Sequence, residues 1–546
     1  MPRTMQVEYR CGNRLPKLAW CAVVEQHRGR IVVDHGPAVE TRDRFFFEGG
    51  WNGEFGAGEC ASTDCVFGSG AAVSPRGVTF VTSCSTTDSL FYAVRDGRVL
   101  VSNSLPFVLA AASDELDASY TRYLEDCESV IRGINDYHRD LPTRKGSVRR
   151  LLFRNLIVTA DTVGEVDKPG SPCFETYGEY VEYLEDQYRR IVANLRSPLR
   201  REAVDVVSTQ SRGYDSTAVN AIASRHGIDR VFTSGTSKSV EAFGERRNSG
   251  FLNDDGADIC RTLGLRSVSI DRRYYAKSGF PDEHLYYACQ PGNQDANLLE
   301  VNAHIRKVSV LLTGVLGEIW ADASHYVSRP GRITPELKRG DIGGHGLSEV
   351  RLRVGFIQVA LPFVGATQRP AIHRIANSAD MDPWRVNTGY DRPIARRIAE
   401  ERGVPRSMFG QRKMGSVVLF PSPRLPHNPQ LRQEFLDALV DAGVVYRWQT
   451  NAWPAAHVVN TILEYRSEKR FRAVHYIERA MSRLMTQPFE FGRLWSHLNG
   501  SLFWFCVNKC VREYSDAMPI GILPRAAVVN THSPMIDAGD RIAAAR

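Results

Sequence analysis

The period of the apolar positions changes several times along this chain. From about residue 18 to 112 they fall in short runs separated by turn residues: "LAWCAVVE", "GRIVVDHG", "DRFFFEGG", "GVTFVTSC" and "SLFYAVRDGRVLVS". Short β-branched and aromatic runs bounded by such residues predict strands. Asp96-Gly97, set between two alternating runs, predicts a hairpin. From 113 to 200 the pattern reads as helical and charged, ending in "YGEYVEYLEDQYRRIVANLRSPLRRE", where apolar residues recur at helical spacing and Pro198 closes the segment. Beyond it, "AVDVVS", "RVFTS", "SVSID" and "VSVLLTG" alternate with the helical stretches "STAVNAIASRHG" and "DGADICRTLGL". Alternation of this kind predicts an α/β layer around a mostly parallel sheet. After about 330 the pattern is mainly helical with Pro-rich turns, and no internal repeat or low-complexity tract is found.

At 546 residues, 43% hydrophobic and 24% charged, the chain is too long for one compact core, so two or more domains are expected. No run of about 18 apolar residues occurs and "MPRTMQVEYRCGNR" lacks the apolar stretch of a signal peptide, so a cytoplasmic protein without a membrane span is expected. The eleven cysteines are irregularly spaced with no C-x-x-C pair, which excludes a zinc ribbon or a thioredoxin-like motif. Cys506 and Cys510 stand one helical turn apart, and His284 lies in the aromatic stretch "HLYYACQ"; packing is the expectation for all three. "SLFWFCVNKCVREY" predicts a buried C-terminal helix. The net charge of +7 is spread over clusters mixed with acids at helical spacing, which read as solvated helix faces, so no nucleic-acid partner is expected.

Chemistry concentrates in Ser211 to Thr217, "SRGYDST", between the strand run "AVDVVS" and the helix that follows. Free N–H groups at a helix start attract anions, and Gly213 lets the main chain approach a phosphate closely. Ser211, Ser216 and Thr217 add hydroxyl donors. Asp215 would repel a phosphate unless a cation lay between them, and Mg²⁺ held by a carboxylate and phosphate oxygens is the usual solution. The loop lacks the spacing and the Lys of a Walker A sequence.

It resembles the S-G-G-x-D-S loop of the ATP pyrophosphatases, with Arg212 in place of the first Gly. Three further stretches fall in the order of the asparagine synthetase branch of that superfamily, which includes β-lactam synthetases and lasso-peptide cyclases. "TSCSTTDSLFYAVRDGRVLVSNSLPFVLAAA" resembles its glutaminase-type N-terminal domain. "VLLTGVLGEIWADAS" is similar to the segment carrying the second metal carboxylate, here Glu318, and "GVPRSMFGQRKMGSVVLFPSP" to the one carrying the catalytic Lys, here Lys413. Between these two, "VALPFVGA" looks like the V-R-V-P-F-L-D segment without its Arg. The resemblance covers roughly residues 70 to 425. It implies an α/β protein with a degenerate Ntn-hydrolase-like β-rich (αββα) domain over 1–175, a PP-loop ATP pyrophosphatase domain over 176–430 and a helical extension over 431–546. ATP and Mg²⁺ would be the cofactors. Ser211, Arg212, Gly213, Asp215, Ser216, Thr217, Thr313 and Gly314 would hold the nucleotide, Asp215 and Glu318 the metal, and Lys413 would complete the catalytic set. The implied activity is an AMP-forming carbon–nitrogen ligase acting on a small-molecule or peptide carboxylate, with a homodimer as the expected assembly.

The chain also departs from this pattern. Glutaminases of that fold use an N-terminal Cys whose α-amine acts as base, whereas Met1 is followed by Pro2 and the nearest thiol is Cys11; no glutaminase activity is expected. Ile319 replaces the acidic residue after the metal carboxylate. A non-catalytic nucleotide-binding or scaffold homologue, or an ATP pyrophosphatase of the tRNA-thiolation or deazapurine type, remain as alternatives. The sequence leaves open whether the arginines of "WRVNTGYDRPIARRIAEERG" line the site or face water.

Overall fold

The computed structural model describes residues 5–235, 239–240, 253–289, 294–321, 344–386, 391–411, 418–419, 425–451, 476–477, 479–484 and 493–519. It has a mixed α/β fold built on three main sheets.

The first sheet is seven-stranded, ordered β1-β3-β2-β9-β8-β11-β10. Its members are β1 (Gln6–Cys11), β2 (Trp20–Glu25), β3 (Arg30–His35), β8 (Leu90–Arg95), β9 (Arg98–Ser102), β10 (Asp140–Thr143) and β11 (Gly146–Leu151). The second is antiparallel, ordered β13-β12-β7-β6-β5-β4, from β4 (Glu40–Arg42), β5 (Phe45–Trp51), β6 (Val66–Ser74), β7 (Gly77–Val81), β12 (Asn155–Thr159) and β13 (Val163–Val166). The period-two alternation of the strands lets each sheet bury both faces. Trp20, Ala22 and Val24 of β2 enter a core shared with Phe46, Phe80 and Val158 of the other sheet. There Trp20 stacks on Phe80 at 6.0 Å and meets the edge of Phe46 at 5.0 Å.

The intervening Cys21 and Val23 belong to a different core, shared with α1 (Leu105–Ala111) and α7 (Arg493–Ala517). Phe107 of α1 stacks on Tyr514 at 4.6 Å, and the Trp504 indole N–H donates to the Leu116 carbonyl at 3.1 Å. On the far side of the second sheet Phe45, Phe47 and Trp51 form a further cluster. Near it α2 (Tyr177–Leu195) brings Leu195 onto Gly50 of β5. Its N-terminus is capped reciprocally: Thr176 Oγ1 accepts from the Glu179 amide at 3.3 Å, and the Glu179 carboxylate accepts from the Glu175 amide at 2.8 Å.

The third sheet is parallel throughout, ordered β17-β15-β14-β18-β19, from β14 (Asp205–Gln210), β15 (Arg230–Thr233), β17 (Ser267–Ser269), β18 (Ser309–Thr313) and β19 (Phe356–Ala360). The helix α3 (Tyr214–Ala223) connects β14 to β15. A separate two-residue ladder joins β16 (Ser239–Val240) to β20 (Val418–Leu419). Arg351, on α5 (Ser348–Val354), ties this part to the sandwich: its Nε donates to Asp88 at 2.6 Å and its terminal nitrogens to Glu48 at 2.9 and 3.1 Å, all three side chains being buried.

The stretch from 113 to 200 differs from the helical reading. It contributes four strands, β10 to β13, before α2. The arginines of these strands find partners within and around the sheets: Arg149 and Arg139 on Glu165 at 2.9 and 2.6 Å, and Arg150 on the Asp126 carbonyl at 2.8 Å. The structure also adds β1, β6 and β19. The predicted buried helix at the C-terminus is α7. Among the described residues no helix is long and apolar enough to cross a membrane.

Candidate active site

Strand order reverses between β14 and β18, the place at the carboxyl ends of the strands where open α/β sheets usually have a ligand crevice. The first loop is Ser211–Gly213. Ser211 Oγ lies 2.9 Å from Ser216 Oγ and accepts from the Gly213 amide at 3.1 Å, while the Ser211 amide donates to Ser216 Oγ at 3.1 Å. These bonds fold the loop tightly onto the start of α3, whose N-cap Gly213 contributes no side-chain cap. Thr217 is fully buried; its hydroxyl donates to the Gly213 carbonyl at 2.8 Å and accepts from Gln210 Nε2 at 2.9 Å, so it holds the loop's shape from beneath.

Arg212 is anchored sideways. Its amide donates to Asp254 at 2.8 Å and its Nε to the Asp255 carbonyl at 2.9 Å, and Asp254 is in turn paired to Arg272 at 3.1 and 3.2 Å. The guanidinium therefore leans on the 254–258 segment.

The second loop follows β18. A Cβ at Gly314 would stand 2.6 Å from the Ser216 amide nitrogen, and one at Gly317 would stand 2.2 Å from Asp215 Cγ. The two loops interlock only because both positions are glycine. Leu316 between them takes a left-handed φ of 68°, a strained value for a branched side chain. The short helical turn Gly317–Trp320 then carries Glu318, the residue after the Gly317 that abuts Asp215, and the Trp320 indole N–H donates to the Tyr180 hydroxyl of α2 at 2.9 Å, fixing that turn. Ile319 is buried as core. Thr313, at the end of β18, is buried and its hydroxyl finds no hydrogen-bond partner among the described residues.

Three cations lie around this junction: Arg212 and two of the arginines whose placement the sequence leaves open. Arg392, just before α6 (Pro393–Glu401), is 5% exposed and forms an ion pair with Asp215. Arg396 is fully buried, donates to the Tyr214 hydroxyl, and lies over the rings of Tyr214 and Phe409 at 4.8 and 5.4 Å. Burial pushes the Tyr214 phenol up, against the pull of Arg396. Arg397 points elsewhere, stacking on Tyr177 and Trp384 at 3.9 and 4.3 Å. The amphipathic pattern of α6 put arginines on two faces, and only packing distinguishes them.

Gly410, at φ 64°, donates its amide to the Arg212 carbonyl at 2.8 Å. Gly410 thus docks on the Ser211–Gly213 loop; Lys413 lies outside the described residues. Of the expected site, the structure brings together Ser211, Arg212, Gly213, Asp215, Ser216, Gly314 and Glu318, with Thr217 and Thr313 beneath. Asp215 and Glu318 are oxygen donors on apposed loops, a donor set that suits a hard divalent cation; Arg392 is the residue such an ion would share Asp215 with. No family model matches the chain, and no curated protein matches it.

Proposed function

We propose that this crevice binds ATP with Mg²⁺ and that the protein is an AMP-forming carbon–nitrogen ligase of asparagine synthetase-like type. The observation that carries the reading is the interlock at the strand crossover, where Gly314 and Gly317 admit Asp215 against the loop that bears Glu318. In this reading the Ser211–Ser216 loop and the first amides of α3 cradle the pyrophosphate part of ATP. Asp215 and Glu318 would hold Mg²⁺, which supplies charge neutralisation at the phosphates. Arg392 and Lys413 stand to offset the negative charge that grows on the leaving pyrophosphate. A preorganised group of this kind is commonly worth about 3 kcal/mol of barrier. A substrate carboxylate oxygen attacks the α-phosphorus, the α–β bridging bond breaks, and pyrophosphate departs. An amine nitrogen then attacks the acyl carbon, AMP leaves, and the amine's proton passes to solvent.

The stacked sheets with helices outside them support a glutaminase-type N-terminal part that has lost its chemistry. Cys11 closes β1, its nitrogen is a peptide amide, and cleavage before it would remove most of a strand paired to β3. Ammonia or another amine would therefore come from solution or from the substrate itself.

Incubation with ³²P-pyrophosphate, ATP, Mg²⁺ and pools of carboxylic acids tests the reading. Label entering ATP in the presence of one acid, with AMP as the nucleotide product and no RNA required, is the expected result; ADP as the product refutes it. A non-catalytic nucleotide-binding homologue is the second reading, favoured by the ion pair that Arg392 makes with Asp215. It is distinguished by binding of a non-hydrolysable ATP analogue without exchange.

A further inference from the structure

His284, Cys510 and Glu513, far apart in sequence apart from the last two, converge between two helices. Cys510 and Glu513 stand three residues apart on α7, hence on one face of the helix. His284 comes from α4 (Glu283–Tyr287), which packs against it. One ligand atom from each lies within 4.8 Å of the other two, and His284 Nε2 is 2.9 Å from Glu513 Oε1. Cys510 and His284 are both buried, at 1% and 7% exposure.

We propose that these three residues form a site for a zinc-class divalent ion that clamps the C-terminal helix α7 to α4. The donor set decides the metal: a thiolate, an imidazole nitrogen and one carboxylate oxygen suit zinc, whereas magnesium and calcium take oxygen ligands. In a tetrahedral site with bonds of about 2.0–2.3 Å, donor atoms stand roughly 3.3–3.7 Å apart. Binding therefore draws the Cys510 sulfur in by no more than about 1.2 Å and widens the His284–Glu513 contact by about 0.4 Å. Arg353 completes the arrangement, donating to the other carboxylate oxygen of Glu513 at 2.6 Å, as outer-sphere partners of metal ligands do when they fix a carboxylate's orientation. A cavity of about 310 Å³ opens beside Glu513, lined also by Arg353 and Tyr514. On binding, Cys510 Sγ gives its proton to solvent and forms the sulfur–metal bond; no electron is exchanged.

The test uses the full chain stripped with chelator and titrated with Co²⁺, whose thiolate complexes absorb in the near ultraviolet. One equivalent per chain with a thiolate-to-cobalt band is expected, displaced by Zn²⁺. Cys510→Ser should abolish the band, and Cys506→Ser, one turn away, should leave it. Should Cys510→Ser fail to fold, as judged by far-ultraviolet circular dichroism, His284→Gln serves in its place and should weaken Co²⁺ binding at least tenfold. Absence of the band in the unmodified chain, its survival in Cys510→Ser, or unchanged affinity in His284→Gln overturns the proposal. The outcome is independent of the ligase reading, since neither residue touches the crevice between β14 and β18.

Discussion

Gly317→Ala is the smallest change that tests the architecture of the crevice. Its added methyl would sit 2.2 Å from Asp215 Cγ and 2.5 Å from Asp215 Oδ1. Ordinary contact needs about 3.5–4 Å, so the turn bearing Glu318 and the start of α3 must separate by more than about 1 Å. Gly317 has an ordinary negative φ, so alanine meets no backbone obstacle and the whole effect comes from this overlap. Overpacking of this kind costs about 1–3 kcal/mol. A displacement of about 1 Å between reacting groups costs on the order of 100-fold in rate. We expect Gly317→Ala to fold with a modest loss in urea denaturation and to lose about two orders of magnitude in pyrophosphate exchange. Gly170→Ala, where an added methyl meets nothing within 4 Å, is the matched control and should change neither. Normal stability together with normal Mg²⁺–ATP binding in Gly317→Ala would refute the argument that the interlock defines the site.

Asp215→Asn and Lys413→Ala should keep the fold and abolish ATP turnover, as read by circular dichroism beside the exchange assay; loss of folded protein would assign a structural role. Arg351→Met leaves Glu48 and Asp88 buried without their cation, and removing one partner of a buried ion cluster costs about 3–5 kcal/mol; chemical denaturation measures it. Burial pushes the Asp34 carboxyl up from 3.8 to about 7, with Arg10 pulling the other way. The folded state then binds more protons than the unfolded state between pH 3.8 and 7, so this group's contribution is full at acid pH and falls as pH rises through that window. Asp34→Asn should flatten the decline and raise stability at pH 7 by on the order of 2–4 kcal/mol, and an unchanged pH profile would contradict the assignment. Glutamine should yield no ammonia, and Cys11→Ala should change nothing; release of ammonia would mean that the chain is processed at Cys11.

Those parts of the fold that announce themselves through local periodicity were legible in the sequence. The hairpin at Asp96-Gly97, the long helix before Pro198 and the strand-loop-helix at "SRGYDST" all depend on residues near one another. What was hidden depended on partners far along the chain. β6 carries Gly, Ala and Ser where a strand usually shows β-branched residues, and it is a strand because β5 and β7 pair with it on either side. β11 lies in the stretch read as helical and charged, and its Arg149 is matched in the sheet by Glu165, sixteen residues on. In the candidate site the loop and its acid were visible. The placement of Arg392 and Arg396 was left open, because a segment with arginines before and around a helix does not reveal which of them pack inward. His284 and Cys510 each looked like packing, and only the tertiary fold puts Glu513 beside them.

The position of α7 bears on the order in which this protein can finish folding. The face of the first sheet that carries Cys21 and Val23 shares its core with α1 and α7, and Phe107 waits for Tyr514. During synthesis that apolar face emerges well before the helix that helps to cover it, which follows the strands of all three main sheets. The N-terminal sheets are therefore not a unit that can be completed and left behind on the ribosome. A chain stopped short of residue 493 would present exposed hydrophobic surface on an otherwise formed sheet, the kind of species that aggregates. A helix that a reading of the sequence alone treats as an extension is thus a closing element, and its loss should be felt first in solubility, at the end of the molecule farthest from it in sequence.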